Sequence, residues 1–379
     1  MDSQTSLMEL LEGIHDPRGD RGKRHPLSAL LALAVVAMLS GMTSYQAICE
    51  YGRERGDFLY LLGFTRKRGL CKATYSRVFR KIDVADFEAR VAQWIRSRLG
   101  PDDANHLALD GKSARGSRDG EMPAVHLVSA YAPDVKAVLG QLRVDVKTNE
   151  HKAALELLGV LPIKGKIVSG DAIFTQRDVC AEVIEQGGDY VLPVKDNQPT
   201  LRADIEAAFA EPEPGLSPRQ AMRRAGEIER ASEVDKGHGR IETRTIEVTT
   251  ALAGYLGLDW SGIKRVYRPT RVRKFKGKVE IEVVYGITSL TRDQADAAKL
   301  LKLTRGHWGI ENGLHWVRDV TLGEDASRIR KGSATQVMAC LRNLLVFLFH
   351  RFGHKGAASA TRHDVCHPEK TLKILSSPI

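Results

Sequence analysis

The stretch Arg305–Asp325, RGHWGIENGLHWVRDVTLGED, gathers acid, imidazole and guanidinium groups at helical spacing. His307, Glu311, His315 and Arg318 follow one another at steps of four, four and three. On an α-helix that spacing places all four on one face. Trp308, Ile310, Leu314 and Val317 take flanking positions that are able to bury. Such a face offers a carboxylate to a metal ion while donors a turn before and after it meet phosphate oxygens. Two further acids end apolar runs: Asp110 closes HLALD, and Asp171 closes KIVSGD. If their strands are neighbours the two carboxylates converge, and like charges held that close repel unless a cation lies between them. Two aspartates and a glutamate form a hard, all-oxygen set suited to Mg2+ or Mn2+. Two other readings stand beside this one. In the first, His307, Glu311 and His315 are zinc ligands, which leaves the aspartates without a task. In the second, the stretch is a solvated stripe with its tryptophans in a core.

These groups need a scaffold. Residues 1–98 read as helical: Pro26 opens LSALLALAVVAMLSG, which Gly41 stops, and Ser44 opens SYQAICEYGRERGDFLYLLG. The run Lys72–Arg77 fits a helix-turn-helix on DNA, and fits equally a bundle used only for packing or dimerisation. From residue 104 to 210 the patterning runs β-β-β-α-β-α-β-α, with Asn149 capping the first helix. That order predicts an α/β fold whose mixed sheet has an antiparallel edge and a parallel remainder. A Pro-rich linker, EPEPGLSPRQ, opens a β-rich insertion over 211–290. Within it, Lys264–Lys278 holds eight Lys or Arg and no acid, with Tyr267 and Phe275 interleaved, the composition of a nucleic-acid face. Arg271, Arg273 and Lys274 are its candidate phosphate contacts, joined by His238 and Arg240 from a glycine-flanked turn. Trp260 is assigned to the core. Residues 291–350 return to helix, and the apolar run SATQVMACLRNLLVFLFHRFG is expected to pack behind the 305–325 stretch. Residues 351–379 show no periodicity and are expected to form a loosely ordered tail. Its HDVCHPEK sets His363, Cys366 and His367 close together without pointing to a metal site on its own.

Composition narrows the function classes. The chain has 379 residues, 42% hydrophobic and 27% charged, and a formal net charge of +10. That excess has the sign expected for a phosphate-backbone partner. Five scattered cysteines with no CxxC pair argue against a disulfide framework or zinc ribbon and fit a reducing cytoplasm. The most apolar segment, Leu27–Leu39, falls short of the roughly 20 residues of a membrane span. It follows a charged run, Asp16–His25, and reads as a buried helix rather than a signal peptide.

Seven motifs then occur in order: LALDGKSARGS, KTNEHKAALELL, VSGDAIFTQRDV, YVLPVKDNQP, GHGRIETR, YGITSL and RGHWGIENGLHWVRDV. Together they resemble the bacterial insertion-sequence transposases of the ISAs-one family, which include the H-repeat-associated proteins, from the helical N-terminal region to about residue 350. The resemblance implies a DDE transposase with an RNase H-like catalytic core: a five-stranded mixed sheet with flanking helices, over 104–210 and 291–350. It makes Asp110, Asp171 and Glu311 both catalytic and metal-binding, holding two Mg2+ or Mn2+. It places Lys112, Arg115, His307, His315 and Arg318 against DNA. Asp171 and Glu311 lie 140 positions apart, a gap the 211–290 insertion accounts for. A Tyr-Arg-Glu-Lys signature of related families is altered here, with Thr304, His307 and Arg318 at the positions around Glu311. The implied partners are element-end and target double-stranded DNA, with a homodimer on DNA and no membrane. A non-catalytic DNA-binding relative and a nuclease that only hydrolyses are the rival readings.

Overall fold

The computed structural model describes residues 5–19, 23–66, 70–100, 102–145, 148–210, 228–237 and 239–376. In chain order the elements are α1 (Leu7–Glu12), α2 (Leu27–Leu39), α3 (Tyr45–Glu54), α4 (Phe58–Leu61), α5 (Lys72–Phe79), α6 (Val84–Arg96), β1 (His106–Ala114), β2 (Val125–Ala132) and β3 (Ala137–Arg143). There follow α7 (Glu150–Val160), β4 (Ile167–Gly170), α8 (Arg177–Glu185), β5 (Asp189–Val194), α9 (Pro199–Ala208), β6 (Glu229–Gly237), β7 (Arg240–Thr249) and α10 (Ala253–Leu256). The last are β8 (Arg265–Phe275), β9 (Lys278–Val283), β10 (Tyr285–Thr288), α11 (Ala297–His307), α12 (Ala334–Arg351), α13 (Ala357–Cys366) and α14 (Pro368–Ser376). No described helix is long and apolar enough to cross a membrane. The chain separates into two compact units, Met1–Ala104 with Gly111–Val144 and Ile310–Ile379, and Asn105–Asp110 with Asp145–Gly309.

The first unit is built around α2. Every residue of α2 except Ser28 is buried, as befits a helix that is apolar on all sides. Gly41, at φ 83°, closes it: the Gly41 and Met42 amides return to the Met38 and Ala37 carbonyls, the Schellman ending that favours glycine at this position. Helices α1, α3, α12, α13 and α14 all pack on α2. Helix α12, buried from Ala334 to Phe349, also meets α6 and the antiparallel β2–β3 pair. The tail therefore corrects the sequence expectation. Residues 357–376 form two helices, with Ala360, Thr371, Ile374 and Leu375 buried, that cover α2. Their apolar residues are too few to show a period, and it is the bare surface of α2 that orders them.

The second unit is a large mixed sheet with helices. The first residues of β1 pair with β4, and β4 pairs with β5, both in parallel. The sheet does not stop at β5, the last of the five strands expected. Antiparallel β10 joins β5 to β8, followed by β7 and β6, with β9 on the outer part of β8. The inserted strands are thus continuous with the sheet. Helix α11 lies across β4, β5, β6 and β7, and Leu300 and Leu301 on it pack into a core with Val191, Ile246, Val248 and Tyr267. Each such buried side chain contributes about 1.5–3 kcal/mol. Buried Arg265 donates to the carbonyls of Leu290, Thr291 and Ala295, tying β8 to the entry of α11.

Candidate active site

Within the second unit, Leu109 and Gly170 are register partners on adjacent parallel strands. The next residues are Asp110, within β1, and Asp171, directly after β4, so the two acids follow paired positions of adjacent strands. Gly170 is required locally: a Cβ there would lie 2.8 Å from the Phe174 ring, and Phe174 is buried under the turn that follows Asp171. Asp110 is buried and Asp171 is exposed. The hydrogen bond from His307 holds the Asp171 carboxyl below its ordinary range despite desolvation, which keeps it ionised. Carboxylate oxygen donors fit a hard divalent cation and suit zinc poorly.

Behind Asp171 runs a chain of polar contacts that the sequence did not reveal. His106 Nε2 lies 2.7 Å from Ser169 Oγ, Ser169 Oγ lies 3.3 Å from His307 Nδ1, and His307 Nε2 lies 3.4 Å from Asp171 Oδ1. Burial, then the neighbouring His307, pushes the His106 imidazole down to about 4, so it is neutral near pH 7. With His106 neutral, one proton arrangement uses every contact. His106 Nε2–H donates to Ser169, the Ser169 hydroxyl donates to His307 Nδ1, and His307 Nε2–H donates to Asp171. Gly306 leaves room for the His106 ring, since a Cβ there would lie 3.0 Å from it. The sequence signals were the serine of SGD and a histidine four residues before Asp110.

The 305–325 stretch departs from the expected single helical face. Helix α11 ends at His307, and Glu311–His315 and Val317–Thr321 wind as wider π-helical turns. Turns closed by i→i+5 bonds do not keep the α-helical stacking of residues four apart. Glu311 is exposed, whereas His315 and Arg318 are buried, and His315 Nδ1 lies 3.8 Å from Glu311 Oε2. Trp308 and Trp316, assigned to flanking or core positions, are 60% and 53% exposed, while Ile310 and Leu314 are buried.

Arg318, expected against DNA, is turned into the protein interior. Its guanidinium is fully buried, donates to Glu324 at 2.7–3.1 Å and reaches Asn343 Oδ1 at 3.2 Å. Arg342 lies 3.5 Å from the same carboxylate. Burial alone would raise Glu324, but the two arginine charges outweigh it and hold the carboxyl below its ordinary range. The network continues through Asn343 to Gln141 and from Gln141 to Glu88, which also accepts from Gln336. Lys112 is likewise turned inward: it is buried, and its ammonium sits 2.7 Å from Asp319 and 3.9 Å from Asp325. Both cations instead fix the DVTLGED segment, whose acids gave the unread signal.

The other candidates fall into two groups. Arg115 is exposed, 3.7 Å from Asp325, and Arg240 is exposed, 3.8 Å from Glu242. His238 lies outside the described residues. The four arginines of Lys264–Lys278 are compensated: Arg265 lies 3.7 Å from Glu229. Arg268 pairs with Glu247, Arg271 with Glu282 at 2.8 Å and Glu242 at 3.7 Å, and Arg273 with Glu280 at 3.6 Å. The acids beside the last three come from β7 and β9, which strand register sets opposite β8. Lys264, Lys274, Lys276 and Lys278 remain exposed. Trp260 is buried, as expected.

Comparison with known proteins follows this geometry. Residues 101–348 match the family model described as "Transposase DDE domain", and residues 8–95 match one described as "DDE_Tnp_1-associated". The chain is 31% identical over 381 residues to "Putative transposase YncI" of Escherichia coli O157:H7, covering 98% of this chain and 95% of that one. It is 32% identical over 349 residues to "H repeat-associated putative transposase YhhI" of Escherichia coli strain K12, covering 90% and 89%. Among solved structures, the piggyBac transposase synaptic complex with hairpin DNA aligns with 98% of this chain and 77% of that chain, at a TM-score of 0.43 and 11% identity.

Proposed function

The chain belongs to the DDE transposases, and on that premise we propose that it cuts DNA at the ends of an insertion sequence and joins those ends to target DNA. The observation that supports the chemistry is the register of β1 on β4, in which the residues just before Asp110 and Asp171 are paired. Asp110, Asp171 and Glu311 are the proposed ligands of two Mg2+ or Mn2+ ions. When bound, such ions activate an attacking water or 3′-hydroxyl and neutralise charge on the leaving oxygen of an in-line displacement. The catalytic core is proposed to be RNase H-like, formed by 104–210 and 291–350. Residues 211–290 form its insertion, and 1–98 are a DNA-contacting region. The active assembly is proposed to be a homodimer on DNA, because two element ends must be brought together.

The remaining roles belong to the chain's own residues. His307, fixed by Ser169 and His106, holds one Asp171 oxygen and turns the carboxylate toward its ligand position, as outer-shell donors do for metal-bound carboxylates. His315, buried beside Glu311, restrains that carboxylate. Arg318 and Lys112 position the segment from behind rather than touching phosphate. Arg115, Arg240 and Lys274, with the other exposed lysines of the insertion, supply the positive surface that DNA meets.

The test incubates purified protein with labelled element-end DNA and Mg2+ or Mn2+, beside Asp110→Ala, Asp171→Ala and Glu311→Ala. Nicking by the wild type is expected. Each variant should retain DNA binding and lose activity by more than the roughly 10–100-fold that loss of an outer-shell partner costs. Cleavage near the wild-type rate in any variant refutes that residue's assignment. Cleavage without a joined product supports a nuclease that only hydrolyses, and binding without cleavage supports a non-catalytic relative.

A further inference from the structure

A second ligand set lies in the first unit, away from the aspartate pair in sequence and chemistry. His354, His363 and Asp364 present ring nitrogens and a carboxylate oxygen that all lie within 4.8 Å of one another. Asp364 Oδ1 lies 3.0 Å from His363 Nδ1 and 3.7 Å from His354 Nε2. The Asp364 side chain is 4% exposed, whereas those of His354 and His363 are 19% and 38% exposed. A carboxylate so deeply buried needs partners for its oxygens, and two imidazole nitrogens from separate segments converge on one of them. We propose that His354, His363 and Asp364 bind a zinc-class dication that staples the C-terminal helices to the end of α12.

The distances suit such an ion. Metal–ligand bonds of about 2.0–2.2 Å in a tetrahedron put neighbouring ligand atoms about 3.3–3.6 Å apart, and the separations of 3.0 and 3.7 Å bracket that range. Imidazole nitrogens with one carboxylate are a borderline donor set, preferred by Zn2+ over the hard Mg2+. The ligands also stand on fixed elements. His354 is the residue after Gly353 (φ 73°), and its amide returns to the Phe349 carbonyl while the Gly353 amide returns to that of His350. That Schellman closure fixes the backbone of His354 at the end of α12. His363 and Asp364 lie in the last turns of α13. The partial exposure of both histidines leaves the fourth corner to water. The His367 ring, 4.7 Å from that of His363, stands beside the site. Lys370 Nζ, on an exposed side chain, lies 3.5 Å from His363 Nε2, the ring nitrogen other than the one that faces Asp364. His354 is nine residues from His363, which is why the local motif HDVCHPEK showed only part of the set.

The test titrates chelator-treated full-length protein with Zn2+ against a chromophoric chelator, in excess Mg2+ to occupy hard oxygen sites. One equivalent of zinc is expected, with a rise in the thermal midpoint on binding. His354→Gln and His363→Gln should each weaken zinc affinity at least about tenfold and abolish that rise, as loss of a direct ligand exceeds loss of an outer-shell partner. Cys366→Ser and Asp110→Ala should leave both unchanged. Tetrahedral Co2+ absorption provides a readout that does not depend on stability. The proposal is overturned if no zinc binds, if both histidine variants bind it like the wild type, or if only Cys366→Ser or Asp110→Ala loses it.

Discussion

Arg318→Met separates a structural arginine from a phosphate-binding one. The change leaves a methionine in a fully buried site. It removes the donors that reach Glu324 at 2.7–3.1 Å and the one that reaches Asn343 at 3.2 Å. Glu324, 2% exposed, is left with Arg342 at 3.5 Å. Breaking a buried ion pair from one side costs about 3–5 kcal/mol, since the surviving charge stays desolvated. The Asn343 amide oxygen adds about 1 kcal/mol for its lost donor. Glu324→Gln should be worse than Arg318→Met, because it strands two buried arginines instead of one carboxylate. The exposed pair Arg53–Glu50 serves as control, and Arg53→Met should shift stability by at most about 1 kcal/mol. Urea unfolding followed by circular dichroism measures these differences, and fluorescence anisotropy on labelled DNA measures binding at concentrations where each variant is folded. The reasoning predicts a large loss of stability with DNA affinity little changed in the folded fraction. Wild-type stability with DNA affinity reduced tenfold or more would refute it and return Arg318 to the DNA surface.

Three further outcomes follow from the geometry. Ser169→Ala cuts the link between His106 and His307 and should lower DNA cleavage by roughly 10–100-fold with folding intact; an unchanged rate would show that the contact does not orient Asp171. Burial pushes the Glu88 carboxyl up to about 7 against the donors Gln141 and Gln336. The native state therefore holds a proton that the unfolded state releases near pH 4.5. Stability should fall as pH rises between those values, and Glu88→Gln should be more stable than wild type at pH 8, by at most about 3 kcal/mol, and similar at pH 4. Equal pH dependence of unfolding in the two proteins would remove Glu88 as the cause. Gly286→Ala places a Cβ 2.1 Å from the buried Tyr267 ring and should destabilise by about 1–3 kcal/mol; Tyr267→Leu in the same chain should relieve part of that loss if the ring is the obstacle.

What could be read from residues alone depended on whether the decisive interactions were local. The run ending at Asp171 terminates where β4 does, so that placement was legible, whereas β1 continues past Asp110 to Ala114 and the expected strand end there was wrong, because Gly111 and Lys112 read as a turn yet extend the strand. The β-α-β order made neighbouring parallel strands the natural pairing. The 305–325 face was misread because helical spacing assumes α-helical turns, and a π-helical winding at Glu311 sends His315 and Arg318 inward. No residue type announces that winding; it emerges where Gly313 lies against Tyr131, with a Cβ position 2.5 Å from the tyrosine hydroxyl. The charge on Lys264–Lys278 was read as uncompensated because its glutamates sit on other strands. The tail lacked a period of its own, and its order comes from the apolar surface of α2.

The pairs that neutralise β8 also act as an alignment code. Across β6, β7, β8 and β9, one row reads Glu233, Arg244, Arg271, Glu282 and the next reads Asp235, Glu242, Arg273, Glu280. Sliding β9 by one residue would set Arg271 and Arg273 opposite valine or isoleucine and turn the strand's charged side over. Sliding it by two would leave one arginine facing a glutamate and set the other against Lys278 or Val284. Each opposite-charge pair is worth only about 0.2–1 kcal/mol, yet every wrong alignment forfeits at least one pair. A long ribbon with few core contacts at its tip can thereby find a single pairing before the sheet beneath it is complete.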